Sequence, residues 1–185
     1  MRLAGIPQEV QWNDIDYMDR KRDFTFDPEN FKSLPTVIEK LHSHGQKYVV
    51  ILDPAIPIDI AKNETYKPLT EGLEEDIFIK NDQGEPAKGE VWPGGTYFPD
   101  FSLEAAEFYW VEQIKNLYDS GIKFDGLWID MNEPSNFVDG TSDGCPDRND
   151  LIINSNACGL RLITLTGGLC EDDLVLDCHI KTFLT

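Results

Sequence analysis

FDGLWIDMNEPSNF, residues 124–137, is the stretch on which the fold turns. An apolar run carries Asp130 to its end, and Glu133, Pro134 and Asn136 follow at once. A buried strand that finishes on a carboxylate is what a parallel sheet produces when its strand ends open on a site. Two other segments have the same form. EVQWNDIDYMD (9–19) places Val10 and Trp12 ahead of Asp14 and Asp16, and KYVVILDPAIP (47–57) is an apolar run closed by Asp53 and Pro54. The second has the unbroken hydrophobicity of a strand covered on both faces.

Helical patterns lie between these strands. Ser33 is placed to cap a helix with Leu34, Val37, Ile38 and Leu41 on one face, ended by Gly45. Ser102 is placed to cap a longer one with the stripe Leu103, Ala106, Trp110, Ile114 and Leu117, and Gly121 lies past its end. Strand, helix, strand, helix, strand is the alternation of βα units, so the expected class is α/β with a parallel sheet. Residues 57–102 are too long for a simple connection and rich in Pro, Gly and acidic residues. Such insertions are binding loops or disorder. Trp92, Tyr97, Phe98 and Phe101 favour an ordered loop, since disorder would leave large apolar surfaces in water.

Asp14, Asp53 and Asp130 each fall at a strand end, where a parallel barrel builds its site. An isolated Asp there commonly caps a helix or holds a turn. Three on successive strands, with Trp12, Trp92 and Trp128 nearby, suit a sugar: hydroxyls need acceptors, and the C–H faces of the ring need flat apolar platforms.

The segment WIDMNEPSNF (128–137) resembles the signature of the family-31 glycoside hydrolases, the retaining α-glucosidases, and looks most like the maltase-glucoamylase and sucrase-isomaltase group. IPQEVQWNDIDYMDRKRDFTFD, GQKYVVILDPAI and GEVWPGGTYFPDF resemble further family segments in family order, from about residue 4 to about residue 148. The resemblance implies a partial (β/α)8 TIM barrel holding about the early-to-middle strands and truncated at both ends. Residues 1–149 would form the incomplete catalytic barrel, and 150–185 a tail that does not match, the product of splicing or of a misread gene. It implies hydrolysis of terminal α-linked glucose in oligosaccharides, with no cofactor and no metal. Asp130 matches the nucleophile that forms a covalent glycosyl ester. Asp14 matches the acid that binds sugar hydroxyls; Trp92, Trp128, Met131 and Phe137 match pocket lining, and Ile15 and Ile51 its apolar walls. Asp53 and Glu133 match motif residues that support the chemistry from behind, and Asp16 is left as structural. Glu133 is a poor general acid, because a retaining pair flanks the scissile bond roughly 5 Å apart and draws on different strand ends.

The family's acid/base lies in a WLGDN-like motif, and none occurs in this sequence. Nor is there an equivalent of the family's arginine or of its later sugar-binding histidine; His42, His44 and His179 sit in other contexts. At 185 residues the chain falls below the roughly 250 of a complete barrel. Three readings stay open: a hydrolase portion inactive alone, a non-catalytic sugar-binding or regulatory product, and a product with no function.

The formal charge of -18, with no basic cluster, argues against nucleic acid and anionic membrane as partners and leaves a neutral sugar unaffected. No apolar segment approaches bilayer length, and the first residues carry no signal-peptide pattern, so no route into a secretory compartment is visible, although family members are secretory, membrane-anchored or lysosomal. Oligomeric state is not legible. Cys145, Cys158, Cys170 and Cys178 match no zinc or redox spacing and are expected as free, buried or partly bonded thiols. In the family Cys145 can pair with a later cysteine. Asn63 heads the sequon Asn-Glu-Thr, an acceptor of glycan only in a secreted chain.

Overall fold

Val10–Asn13 (β1), Lys47–Leu52 (β2) and Gly126–Ile129 (β6) form a parallel sheet in the order β1-β2-β6, as their apolar runs predict. The structure is a computed structural model describing residues 4–81 and 83–138. Residues 150–185, expected as a tail, and all four cysteines lie outside the described residues. Those residues divide into two compact units, residues up to 53 with 111–130 and residues 54–110 with those from 131 onward.

The first unit holds the parallel sheet. Leu34–Ser43 (α1) connects β1 to β2 and buries Leu34 and Ile38, while Val37 is 46% exposed, so the buried stripe is narrower than the sequence pattern. Ser33 sits at the cap position without capping through its side chain. Gly45 ends the helix at φ +73, with Gly45 N–H donating to His42 O and Gln46 N–H to Leu41 O, the double closure that a left-handed glycine permits.

After β1 the chain turns over Ile15–Tyr17 and winds through Arg20, Lys21 and Phe24, all at positive φ. That backbone is uncommon for side-chain-bearing residues. It turns Arg22 and Asp23 inward out of a charged run, to 6% and 2% exposure. Buried Tyr17 donates its hydroxyl to Ile51 O at 3.0 Å, tying this turn to β2.

The second unit contains what the sequence presents as a long connection. Ile56–Pro57 (β3), Lys88–Val91 (β4) and Gly94–Tyr97 (β5) make an antiparallel sheet ordered β3-β5-β4, with Lys67–Glu74 (α2) between β3 and β4 in sequence. The expectation of a loop is corrected here to a small sheet. Ala55, Ile79, Ala87, Val91 and Phe98 form its apolar cluster. Gly89 is obligatory: a Cβ there would meet the Phe98 ring at 2.4 Å.

Glu104–Asp119 (α3) runs from the second unit into the first. Ala106, Trp110 and Leu117 are buried as the stripe predicts, together with Tyr109 and Gln113, whereas Leu103 is 41% exposed. Ser102 does not cap the helix; its N–H and hydroxyl both donate to Asp100 Oδ1, at 3.0 and 2.6 Å. Among the described residues no helix is long and apolar enough to cross a membrane.

Candidate active site

Register decides which side chains meet on the first unit. Trp12 pairs with Val49, Val49 with Gly126, and Ile51 with Trp128. Residues in register project to one face, and alternate residues along a strand share it. Trp12, Val49, Ile51 and Trp128 therefore lie on one side of the sheet. The Trp12 and Trp128 rings touch edge to face, centroids 6.1 Å apart. Two residues past Trp12, Ile51 and Trp128 come Asp14, Asp53 and Asp130, which keep that parity at the carboxyl ends of the strands. Carried one step beyond the last pair, Leu52 with Ile129, the register sets Asp53 opposite Asp130.

The three carboxylates have different surroundings. Asp130 is exposed. Asp14 is also exposed and accepts the Ile15 N–H at 2.7 Å on Oδ1, which caps the short turn over Ile15–Tyr17. The ordinary turn-capping role thus holds for one oxygen of Asp14. Asp53 is buried to 6% exposure and its Oδ1 has no hydrogen-bond partner among the described residues. Burial, then the negative charges of Asp130 and Asp14, push its carboxyl up to about 6. Behind it, Asp53 N–H donates to Asp23 Oδ1 at 3.3 Å. Asp23 is a residue that sequence reading missed, because nothing in the run DRKRDF separates an inward carboxylate from solvated neighbours. Ile51 is 2% exposed, and Ile15 and Trp128 are half-buried.

The second unit gathers the remaining candidates. Trp92 forms the tip of the β4–β5 hairpin; its indole N–H donates to Met131 Sδ at 3.1 Å. Phe137 meets the Trp92 ring edge to face at 4.8 Å. The 131–137 segment is held against β4 from both sides of one residue. Glu90 N–H donates to Asn136 Oδ1 and Phe137 N–H donates to Glu90 O, each at 2.9 Å. Met131, at φ +57, packs on the apolar cluster. Trp92 and Phe137 remain about half exposed, at 49% and 51%. Glu133 is exposed and accepts the Ser135 hydroxyl at 2.6 Å; the bond joining it to buried Pro134 is cis. Among the described residues no group of His, Cys, Asp and Glu is arranged to hold a metal.

Comparison with known proteins meets this geometry from another side. The sequence model described as "Glycosyl hydrolases family 31 TIM-barrel domain" matches residues 1–160. Lysosomal alpha-glucosidase of Bos taurus is 48% identical over 147 residues, covering 80% of this chain and 16% of its own length. Intestinal sucrase-isomaltase of Homo sapiens is 45% identical over 146 residues, covering 78% of this chain and 8% of its own. The chain thus spans less than a fifth of either relative. Among solved structures, the family 31 alpha-glucosidase of Bacteroides thetaiotaomicron matches with a TM-score of 0.61 at 36% identity, over 74% of this chain and 22% of that one. The glucosidase II alpha subunit matches at 0.64 and 35%, over 74% and 14%.

Proposed function

Because the chain belongs to glycosyl hydrolase family 31, within its TIM-barrel domain, we propose that it carries the nucleophile half of a retaining α-glucosidase site. The observation that carries this reading is that Asp14, Asp53 and Asp130 stand just past the carboxyl ends of three adjacent parallel strands, near enough for the charges of Asp130 and Asp14 to act on Asp53, with Trp12 and Trp128 in ring contact.

Asp130 is the nucleophile. Its exposed carboxylate attacks the anomeric carbon of a terminal α-glucosyl unit, and water later releases the sugar with retention. Asp14 binds sugar hydroxyls with the carboxylate oxygen that its turn leaves over. Trp128 offers its ring to the C–H face of the sugar, with Ile15 and Ile51 as apolar walls. Trp92, Met131 and Phe137, on their own unit, belong to the apolar lining that family membership implies. Asp53 acts from behind: protonated below about pH 6, it adds no further negative charge beside Asp130. Glu133, turned to Ser135, holds the loop and is not the acid.

A glycosyl ester also needs a proton donor for the leaving oxygen, on a separate element. No WLGDN-like stretch stands in the sequence to supply it. On this reading residues 1–149 are an incomplete barrel and 150–185 a tail, although the family match runs on to residue 160, and the chain alone is expected not to turn over maltose. A fluoroglucosyl fluoride tests the nucleophile without needing that acid, since fluoride leaves unprotonated. Intact mass of the folded chain is expected to gain one fluoroglucosyl unit, and Asp130→Asn to abolish the gain. A folded chain that stays unlabelled removes the enzyme reading in favour of a non-catalytic one, and measurable maltose hydrolysis overturns the missing acid.

A further inference from the structure

We propose that Asn63 is an acceptor site for an N-linked oligosaccharide. The inference is independent of the hydrolase reading.

Asn63-Glu64-Thr65 is the only Asn-X-Ser/Thr sequence in the chain, and neither Glu64 nor the following Tyr66 is proline. On a folded chain a sequon accepts glycan only where its backbone can leave the fold and enter an enzyme's cleft, and the structure sets this one between two anchors. Upstream, Ile58 N–H donates to Gly95 O at 2.9 Å, which fastens the chain to β5. Downstream, Tyr66 is buried at 5% exposure and leads into α2. Between them the chain turns once, with Glu64 N–H donating to Ala61 O at 2.9 Å, and Lys62, Asn63 and Thr65 all stand exposed. Neither the Asn63 carboxamide nor the Thr65 hydroxyl makes a hydrogen bond among the described residues, so no contact of these two side chains has to break before transfer. The segment belongs to no strand or helix, and a large hydrophilic substituent there displaces no core residue.

The co-reactant is an oligosaccharide linked to a polyprenyl diphosphate. The Asn63 side-chain nitrogen attacks C1 of the first sugar. The new N–C bond replaces the C–O bond to the diphosphate, which leaves with its electron pair, and the amide gives up one proton. The Thr65 hydroxyl, two residues on, engages the transferase and orients the acceptor.

The test uses the purified 185-residue chain, a single-subunit oligosaccharyltransferase and a polyprenyl-diphosphate-linked oligosaccharide. Intact mass and peptide mapping read the product, and a synthetic peptide of residues 58–68 runs alongside as acceptor. The expected result is one oligosaccharide on Asn63, absent in Asn63→Gln and Thr65→Ala and retained in Thr65→Ser. An amidase that cleaves the glycosyl-asparagine bond is expected to remove it and leave Asp at that position. A chain left unmodified while the peptide is glycosylated overturns the proposal, because the fold then withholds the site. Addition that persists in Asn63→Gln overturns it too, by moving the acceptor elsewhere.

Discussion

Asp53 shows how much a single position depends on its neighbours. In sequence it closes an apolar run like any strand-end carboxylate. In the fold it is the most enclosed of the three strand-end carboxylates, and burial followed by the charges of Asp130 and Asp14 raises its pKa to about 6. A raised acid pKa means that the folded chain holds a proton which the unfolded chain has already released. Asp53 therefore favours folding fully below its ordinary pKa and loses that contribution as pH rises to about 6. Asp53→Asn is expected to flatten the pH dependence of the unfolding free energy between about pH 4 and about 6, and to gain on the order of 2–3 kcal/mol over the native chain at pH 7. Denaturant melts at several pH values check this, and an unchanged slope rejects it. Asp125 behaves in the opposite sense. Burial raises its pKa, but Lys47 Nζ, Tyr48 N–H and His42 Nε2, at 2.8, 2.9 and 2.7 Å, outweigh that and hold it at about 2. Its contribution is present above the ordinary carboxylate pKa and lost as pH falls towards 2. With the side chain partly in solvent, Asp125→Asn is expected to cost about 1 kcal/mol at pH 7 and little near pH 2, measured by the same melts.

Among elements, the strands and helices of the parallel sheet were legible and the inserted sheet was not. β2 announces itself with an unbroken apolar run, whereas β4 and β5 are Lys-Gly-Glu-Val and Gly-Gly-Thr-Tyr, poor in strand-forming residues. Their glycines serve packing instead. Gly89 admits the Phe98 ring, and Gly95 lies where a Cβ would come within 3.1 Å of Asp59 Oδ2. Gly89→Ala is expected to destabilise the second unit by about 1–3 kcal/mol through overpacking. Hydrogen exchange at Ala87, Gly89 and Thr96 is the direct readout, and protection left at the native level rejects the packing account. The capping expectation at Ser102 failed for a local reason: a hydroxyl that can cap can equally bond another neighbour, as Ser102 does with Asp100, while Ser33 holds its cap position without a side-chain bond to the helix.

On the scale of the whole chain, the parallel sheet among the described residues has β1 and β6 as its edges, with one strand neighbour each. Trp12 on one edge is 54% exposed and Ile129 on the other 53%. Open parallel edges with apolar side chains invite pairing with other copies. The isolated chain is expected to self-associate at micromolar concentration, read by sedimentation velocity over a dilution series. A sample that stays monodisperse across the series rejects it.

By itself the sequence determined the βα alternation, the three strand-end aspartates and the family resemblance. Each of these is written in neighbouring residues, in hydrophobic period and in a contiguous motif. Only the tertiary structure decided that Asp53 is enclosed while Asp14 and Asp130 face solvent, that buried Asp23 accepts the Asp53 N–H, and that residues 56–97 include a sheet. Burial and strand register belong to contacts between residues far apart in the chain, and a local pattern carries no record of them.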